Sequence, residues 1–314
     1  MLGPAWQHPL MALHASVALL FWGSAASLSF AASPATPGVA LPLHALKHRC
    51  TDPRFPRLAG AWVVGCGPGG AVDRALSIRS GRVIHLPRPL APAGTGPGVV
   101  VGTGRRGGMF RLTESGAEEI DGTTRITEPL VAPPTTDGEH LALLSERGLQ
   151  AFPATDGARS IHAARPLGWH PPALAWPWVA WVEDAGDGDA DIWLRDTRER
   201  ASARPLATGP GRQDRVVANE AWIAWVDEGD VVLSNLEHGG QRRFEADTGF
   251  RAPPTVWRGE ACWETRGDDI DITCTDLPGI QATGHQGWPD RWGPWLLYRD
   301  GDRAWLYTAA DAAE

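Results

Sequence analysis

The sequence predicts an all-β protein that folds as a single β-propeller of seven four-stranded blades, with six blades as the alternative. About every forty residues it repeats a tryptophan-bearing apolar strand, a polar acidic turn and a second apolar strand. After the N-terminal apolar run, no segment has the i, i+3, i+4 apolar spacing of an amphipathic helix. Glycine and proline, 37 and 27 of 314 residues, supply the turns that such repeats need. A regular period of this length indicates stacked supersecondary units.

The repeat is clearest in four hairpins of the C-terminal half. They read WVAWVEDAGDGDADIWLRD at 178–196, WIAWVDEGDVVLSNL at 222–236, ACWETRGDDIDITCTDL at 261–277 and WLLYRDGDRAWLYT at 295–308. Strands of the same type begin upstream near Trp62, Val99 and His140, which brings the number of units to seven. The strands are apolar at nearly every position, as is typical of sheets covered on both faces. Sheets covered on both faces, at a period near forty, fit blades packed radially around an axis.

The four hairpins also predict which residues face each other across the two strands. When each is folded about its turn, two positions come into line in every hairpin. The first holds Ala180/Leu194, Ala224/Leu233, Cys262/Cys274 and Leu297/Leu306; the second holds Trp181/Trp193, Trp225/Val232, Trp263/Thr273 and Tyr298/Trp305. Hairpins with turns of different length agree on these positions, so the register supports the repeat independently of its period.

The ends of the chain predict what precedes the propeller and how its ring closes. Residues 10–32 form an apolar run that ends in small residues, so 1–32 is predicted to be a signal peptide or an N-terminal anchor, followed by a linker at 33–38. The propeller domain then covers 39–314. Propellers usually close by pairing strands from both chain ends, and blade seven ends soon after Tyr307. The segment at 39–50 is therefore predicted to supply its outer strand. No other segment has the ~20 apolar residues of a membrane span.

Two blades carry motifs of a known family. Blade three reads PTTDGEHLA at 134–142, and blade four reads DADIWLRD at 189–196. The first resembles the proline, Asp-Gly turn and apolar second strand of TolB-type β-propellers, and the second resembles their third strand with its closing aspartate. The resemblance covers residues 130–308 by motif and 50–130 by spacing. It implies the fold alone, because the chain has no room for the separate N-terminal domain of TolB.

The four cysteines form two local pairs, Cys50/Cys66 and Cys262/Cys274. The second pair occupies facing positions of one hairpin, at a separation that a disulfide tolerates. Because exported proteins meet oxidising conditions, disulfides are predicted for both pairs, with buried free thiols as the alternative. A bridge from Cys50 to Cys66 would tie the closing segment to blade one.

The turns between second and third strands are acidic. Thirteen acidic residues and four arginines give them a charge of −9, beside a net charge of −8 for the whole chain. The acids are Glu146, Glu183, Asp184, Asp187, Asp189, Asp227, Glu228, Asp230, Glu264, Asp268, Asp269, Asp300 and Asp302. Equivalent loops emerge on one side of a propeller, so an acidic face that attracts a cationic partner is predicted, centred on Glu183, Asp184, Asp227, Glu228 and Asp300. The alternative is that hairpin turns are simply polar. Nucleic acid is not an expected partner of so acidic a chain.

One of these turns resembles a calcium loop. Asp184, Asp187, Asp189 and Asp191 surround Gly188, and calcium requires several oxygen ligands on a tight turn. The sister turns lack this spacing, and a solvated acidic hairpin is the alternative. No other cofactor is predicted.

The residues that precede two innermost strands are the candidate ligand contacts. Trp169 and His170 precede the first strand of blade four, and His285 and Trp288 lie at the first strand of blade seven. Propellers usually bind ligands at the central channel, so these residues are predicted to form a binding mouth; packing within loops is the alternative.

Catalytic motifs are absent, since neither a Gly-x-Ser-x-Gly elbow nor a phosphate-binding loop in a strand-to-helix setting occurs. The sequence therefore predicts an exported, monomeric, non-catalytic binding or scaffold module of the periplasm or cell exterior, with a protein or peptide partner. A polysaccharide lyase or hydrolase acting at the channel mouth is the alternative.

Overall fold

The structure of the chain is a computed structural model. It describes residues 38–40, 55–67, 70–91, 93–102, 107–120, 129–155, 159–161, 166–168, 170–199, 202–248, 252–277, 280, 285–301 and 303–308. These residues form 27 β-strands and no helix. Among them no helix could span a membrane. The predicted signal peptide or anchor at 1–32 and most of the predicted linker lie outside the described residues.

The first strand, β1 (Gly38–Ala40), belongs to the last blade, and the next twelve strands form blades one to three. Blade one contains β2 (Arg57–Leu58), β3 (Trp62–Cys66), β4 (Val72–Ser77) and β5 (Val83–Leu90). Blade two contains β6 (Ala93–Gly96), β7 (Val99–Gly102), β8 (Gly108–Thr113) and β9 (Gly116–Glu119). Blade three contains β10 (Thr135–Thr136), β11 (His140–Ser145), β12 (Gly148–Pro153) and β13 (Arg159–Ile161).

The remaining strands form blades four to seven. Blade four contains β14 (Ala173–Ala175), β15 (Trp178–Gly186), β16 (Asp189–Asp196) and β17 (Arg204–Ala207), and blade five contains β18 (Gln213–Asn219), β19 (Trp222–Asp227), β20 (Asp230–Asn235) and β21 (Gln241–Phe244). Blade six contains β22 (Thr255–Trp257), β23 (Glu260–Arg266) and β24 (Ile270–Cys274), and Ile280 bridges Ile272 where a fourth strand would lie. Blade seven contains β25 (Gln286–Trp292), β26 (Trp295–Asp300) and β27 (Arg303–Thr308), with β1 as its outer strand.

The seven sheets form a closed ring, which confirms the predicted seven-bladed propeller. The first strand of each blade contacts the first strand of the next, from β2 through β6, β10, β14, β18 and β22 to β25, and β25 contacts β2 again. The N-terminal strand closes the ring as predicted, because β1 pairs antiparallel with β27. It begins at Gly38, one residue earlier than expected, and 41–50 lie outside the described residues.

Seven clusters of buried apolar side chains, in the part of the chain that the structure describes, each join two neighbouring blades. Successive side chains of a strand point to opposite faces of the sheet. Val179 and Trp181 therefore pack toward blade three, while Ala180 and Val182 pack toward blade five. Both faces of each blade are buried, which explains why the strands are apolar at nearly every position.

The register agrees with the sequence at every predicted pair. Ala180 faces Leu194, Ala224 faces Leu233, Cys262 faces Cys274 and Leu297 faces Leu306. The four pairs of the second position are also observed. The first position always points toward the following blade and the second toward the preceding one.

Polar bonds at the inner ring join several neighbouring blades. Thr135 Oγ1 donates to the carbonyl of Pro172 at 2.6 Å, and Thr255 Oγ1 accepts from Arg291 N at 3.0 Å. At the seam between blades seven and one, Asp290 Oδ2 accepts from Leu58 N at 2.8 Å. A charged acceptor at the seam therefore reinforces the closure that β1 provides at the outer edge.

Cys262 and Cys274 form the predicted disulfide, with their Cα atoms 4.1 Å apart. Cys262 is fully buried between blades six and seven. Cys66 is also disulfide-bonded and buried. Cys50, its predicted partner, lies outside the described residues.

We expect replacement of both Cys262 and Cys274 by alanine to lower the free energy of unfolding by about 2 to 3 kcal/mol, because the bridge closes a short loop in the unfolded chain. Urea unfolding of the oxidised wild type and the double variant measures this difference. The variant leaves the bond of Cys66 intact, which a reducing agent would not. A difference near zero would contradict a stabilising role.

Candidate functional site

The turns between second and third strands share one face with the segments that enter the first strands, because each blade is an antiparallel meander. We call this side the acidic face. It carries His170, the segment 209–212 and the turns at 187–188, 228–229 and 267–269. The other side, with the turns between first and second strands, is the opposite face.

His170 belongs to a buried charged cluster between blades four and five. Its side chain is 6% exposed, and its Nε2 lies 3.7 Å from Oδ2 of Asp214. Asp214 is also buried and accepts hydrogen bonds from Arg212 and from Arg215, the latter at 2.8 Å. Burial lowers the pKa of His170 to about 4, and the charges of Arg212 and Arg215 act in the same direction, against that of Asp214. His170 is therefore a neutral member of a structural cluster at neutral pH.

A β-bulge shapes the first strand in both blade five and blade seven. The register shifts between Asp214 and Val217 in one and between Gly287 and Asp290 in the other. Arg215 and Trp288 occupy the equivalent bulged position, with φ of 55° and 56°. Such left-handed residues re-aim the strand and its side chains.

The backbone of Trp288 is held by a buried carboxylate. Its N–H donates to Oε1 of Glu264 at 2.8 Å, and Glu264 is only 3% exposed. A Cβ on Gly287 would lie 2.5 Å from the same oxygen, so any larger residue there would displace the Glu264 carboxylate. Glu264 was predicted to belong to an exposed turn; it lies instead within β23 and braces blade seven.

His285 lies apart from His170. It is exposed, and its Nδ1 lies 2.8 Å from Oδ1 of Asp269 in the turn of blade six. His170 has its partner in blade five, so the two histidines belong to different blade interfaces. Trp169 lies outside the described residues. The predicted mouth is thus not one cluster in the described part of the chain: His170 is buried, His285 is exposed and Trp288 is half-buried.

The acidic residues differ in their surroundings. Asp184 and Asp187 are exposed and Asp300 is half-buried at the end of β26. Glu183, predicted to lie on the acidic face, is buried and accepts a hydrogen bond from Nε1 of Trp181 at 2.7 Å. Its carboxylate therefore serves the blade interface, and it contributes less to the surface charge than the sequence predicts.

Arginines outside the turns offset part of the acidic charge in blade five. Arg243, on the outer strand β21, pairs with both Asp227 and Asp230. The backbone N–H of Arg212 donates to Oε1 of Glu228 at 2.9 Å. The sequence of the turns does not reveal these contacts, because Arg243 approaches from another strand and Arg212 from the segment that enters blade five.

Neighbouring carboxylates within blade four, and likewise within blade six, nevertheless repel one another. The pKa of Asp191 is raised by burial and by the charges of Asp189 and Glu183. The pKa of Asp271 is raised by burial and by the charge of Asp269. A negative field therefore persists on this side of the molecule.

The calcium-like sequence of blade four forms a β-hairpin. Asp184 Oδ1 accepts from Gly186 N at 2.9 Å, and Asp189 Oδ1 accepts from Ala190 N at 2.8 Å. No group of three His, Cys, Asp or Glu side chains is placed to hold a metal ion in the described ranges. Calcium binding by Asp184, Asp187, Asp189 and Asp191 stays a prediction, which a calcium titration would test.

Two grooves border blade five, and the sequence predicted neither. One, of about 580 Å³, lies on the acidic side between blades four and five. The other, of about 530 Å³, lies on the opposite face. Lining residues of the first include Gln213, Trp225, Asp227, Glu228 and Arg243, and those of the second include Trp178, Asp196, Arg198 and Glu237. The repeated tryptophan and acidic turn were visible in the sequence, but their position beside a groove depends on how two blades meet.

No family model matches the chain, and no curated protein matches it. Among solved structures, it is similar to BamB from Moraxella catarrhalis, with 14% identity and a TM-score of 0.45, over 81% of each chain. It is similar to TolB from Acinetobacter baumannii, with 12% identity and a TM-score of 0.41, over 76% of this chain and 60% of that one.

A third similar structure is a catalytically inactive virginiamycin B lyase from Staphylococcus aureus with quinupristin, with 11% identity and a TM-score of 0.47. It is matched over 80% of this chain and 95% of its own length. All three are β-propeller proteins. The likenesses concern the fold alone, which the blade topology of this chain establishes by itself. The resemblance to TolB-type propellers is confirmed at that level.

Proposed function

We propose that this chain is an exported, non-catalytic binding or scaffold module of the cell envelope that docks a protein or peptide partner on its acidic face. The observation that carries this proposal is the crowding of carboxylates at the β15–β16 hairpin of blade four, where burial, together with the charges of Asp189 and Glu183, raises the pKa of Asp191. When carboxylates lie so near one another, they produce a negative field that attracts a cationic partner.

The fold supports rigid display of this face. Each turn joins two hydrogen-bonded strands of a buried blade, and the ring is closed by β1 and by Asp290. Such turns lose little conformational freedom when a partner binds, which favours affinity. The disulfide between Cys262 and Cys274 supports export, because such bonds persist in oxidising compartments.

The alternative, a polysaccharide lyase or hydrolase, would bring His170, His285 and a carboxylate with a strongly raised pKa together in one pocket. His170 instead contacts Asp214 and His285 contacts Asp269, on different blades. The described geometry therefore favours the binding module.

Affinity capture from envelope extract, with the purified chain as bait, tests this proposal. We expect a reproducible protein partner that is lost when Asp184 and Asp187 are changed to Asn, Asp227 to Asn and Glu228 to Gln. Raising the salt concentration should also release it, because the attraction is between exposed charges.

The matched control changes four acids outside the acidic face, Glu139, Glu199, Glu220 and Glu237, to Gln. This variant loses the same net charge and should keep the partner. Equal loss from both variants would mean that only net charge matters. Retention of glycans alone, or of nothing, would contradict the proposal.

A further inference from the structure

The groove between blades four and five has one wall from each blade. Leu206 and Ala207 of β17 and the segment 208–210 form the first wall. Side chains from one face of blade five form the second. Leu206, Val232 and Pro210 make part of the lining apolar, while Gln213, Asp227 and Glu228 supply oxygen atoms.

The register explains why the blade-five side chains meet on one face. Gln213 faces Asp227 across β18 and β19, and Trp225 lies two residues before Asp227 on the same side of its strand. Trp225 faces Val232, which in turn faces Arg243 on β21. An amide, a carboxylate, an indole and a guanidinium are thereby placed along the same wall of the groove.

Gln213 carries a buried acceptor without a partner. The side chain is 4% exposed, and its Nε2 donates to the carbonyl of Gly211 at 3.0 Å and to Oδ1 of Asp227 at 3.1 Å. Its Oε1 is buried and accepts no hydrogen bond from any residue that the structure describes. An unsatisfied buried acceptor destabilises the folded chain, and a ligand that donates a hydrogen bond to it would recover that loss.

The blade-five wall of the groove differs from the equivalent part of blade four in what its carboxylate binds. There, Trp181 Nε1 donates to Glu183, two residues further along the strand. Blade five has Trp225 and Asp227 at the same positions, and Asp227 is one methylene shorter than Glu183. Asp227 bonds instead to Gln213 and Arg243, and Trp225 Nε1 has no partner among the described residues. In blade five the carboxylate therefore bonds to other side chains that line the groove, whereas in blade four it bonds to the indole.

The wall already holds one guanidinium group. Arg243 bonds to Asp230 Oδ2 through Nε at 2.7 Å and to Asp227 Oδ2 through a terminal nitrogen. Glu228 lines the same groove, and the carboxylates of Asp189 and Asp191, in β16 of the neighbouring blade, add to the negative field. Asp227 and Glu228 outnumber the single guanidinium among the charged groups that line the groove, so the groove suits a ligand that brings positive charge.

We infer that this groove binds an arginine side chain of the partner, an inference that rests on the proposed function. The alkyl part of the arginine would pack on Leu206, Pro210 and Val232, and the guanidinium would donate to Gln213 Oε1 and to the carboxylate of Glu228. A guanidinium is preferred over an ammonium because its five N–H donors in a rigid fork can serve two separated acceptors at once.

The test uses the full chain and the blocked tripeptide acetyl-Gly-Arg-Gly-amide, with binding measured by isothermal titration and by ligand-observed NMR. The same tripeptide with citrulline in place of arginine keeps the shape and removes the charge. We expect the arginine peptide to bind and the citrulline peptide to bind at least about tenfold more weakly, since each charge-assisted hydrogen bond is strong.

Two variants locate the site. Gln213→Leu removes the unpartnered acceptor, and Glu228→Gln removes a charge at an exposed position while keeping an acceptor for Arg212. Each should weaken binding of the arginine peptide about tenfold. Gln286→Leu is the matched control: Gln286 holds the equivalent position in blade seven, both of its amide atoms lack a partner, and it lines neither groove described above.

Equal binding of the arginine and citrulline peptides, or binding unchanged in both Gln213→Leu and Glu228→Gln, would overturn the inference. A lysine peptide that bound more tightly than the arginine peptide would overturn the preference for guanidinium. The proposed function is judged separately by affinity capture: a partner captured through the acidic face but indifferent to Gln213→Leu would leave the function in place and remove only this site.

Discussion

Replacing Gly38, Val39 and Ala40 together by proline is expected to lower the free energy of unfolding by about 3 to 5 kcal/mol, because proline removes backbone donors and cannot join a ladder. These residues face Tyr307, Leu306 and Trp305 across the closing pair. The free energy of unfolding should fall by more than the lost backbone hydrogen bonds account for, since the two ends of the ring would then be joined only at the inner seam. Urea unfolding followed by far-ultraviolet circular dichroism measures the change.

The matched control places three prolines in another outer strand, at Ala117, Glu118 and Glu119 of β9. Among the described strands it pairs with β8 alone, within blade two, so its loss disrupts one blade and leaves the ring joined. If the free energy of unfolding fell equally in both variants, the N-terminal strand would be an ordinary outer strand and not the closure of the ring. An unfolding curve with two transitions in the first variant would show that blade seven separates before the other blades.

Stability is expected to fall in acid because of His170. Its pKa is about 4 in the folded protein, against an ordinary value of 6.5. Between these values the unfolded chain binds more protons than the folded one, so lower pH favours unfolding. The stability that depends on neutral His170 is fully present above pH 6.5 and declines as the pH falls toward 4. Over that range the free energy of unfolding should fall by roughly 3 kcal/mol.

The His170→Gln variant should remove this part of the pH dependence. Its free energy of unfolding, measured at several values between pH 4 and 7.5, should fall less steeply than that of the wild type. Asp214, Arg212 and Arg215 remain in place, so their own contributions are common to both proteins. His238→Gln is the control, because this exposed histidine lies far from the cluster of His170 in sequence and pairs with its neighbour Glu237. Identical slopes for wild type and His170→Gln would contradict the account.

Much of the architecture could be predicted because it depends on contacts within one repeat. The pairing of Cys262 with Cys274 follows from folding a single hairpin about its turn, and the structure has that pairing. The closing strand was predictable because propellers usually close by pairing a strand from the N-terminal end of the chain with the last blade, as β1 does with β27. Its first residue, Gly38, was misplaced by one position, since strand ends depend on backbone bonds that sequence patterns do not show.

The site was harder to predict because its partners come from different blades. His170 reads as a residue at the rim of the channel, yet Asp214 of the next blade and its two arginines enclose it. Glu183 and Glu264 read as turn acids, yet each is buried at a blade interface. Arg243 reads as a surface residue of an outer strand, yet it holds two turn acids.

The repeat, the number of blades, the register within each hairpin and one disulfide follow from the amino-acid sequence, because neighbouring strands joined by short turns have little choice of partner. The folded ring is needed to know which carboxylates are buried, which arginines offset them, and where a groove opens beside Gln213. These features depend on the angle and spacing at which two blades pack. Side chains dozens of residues apart set that packing together, and no local pattern records it.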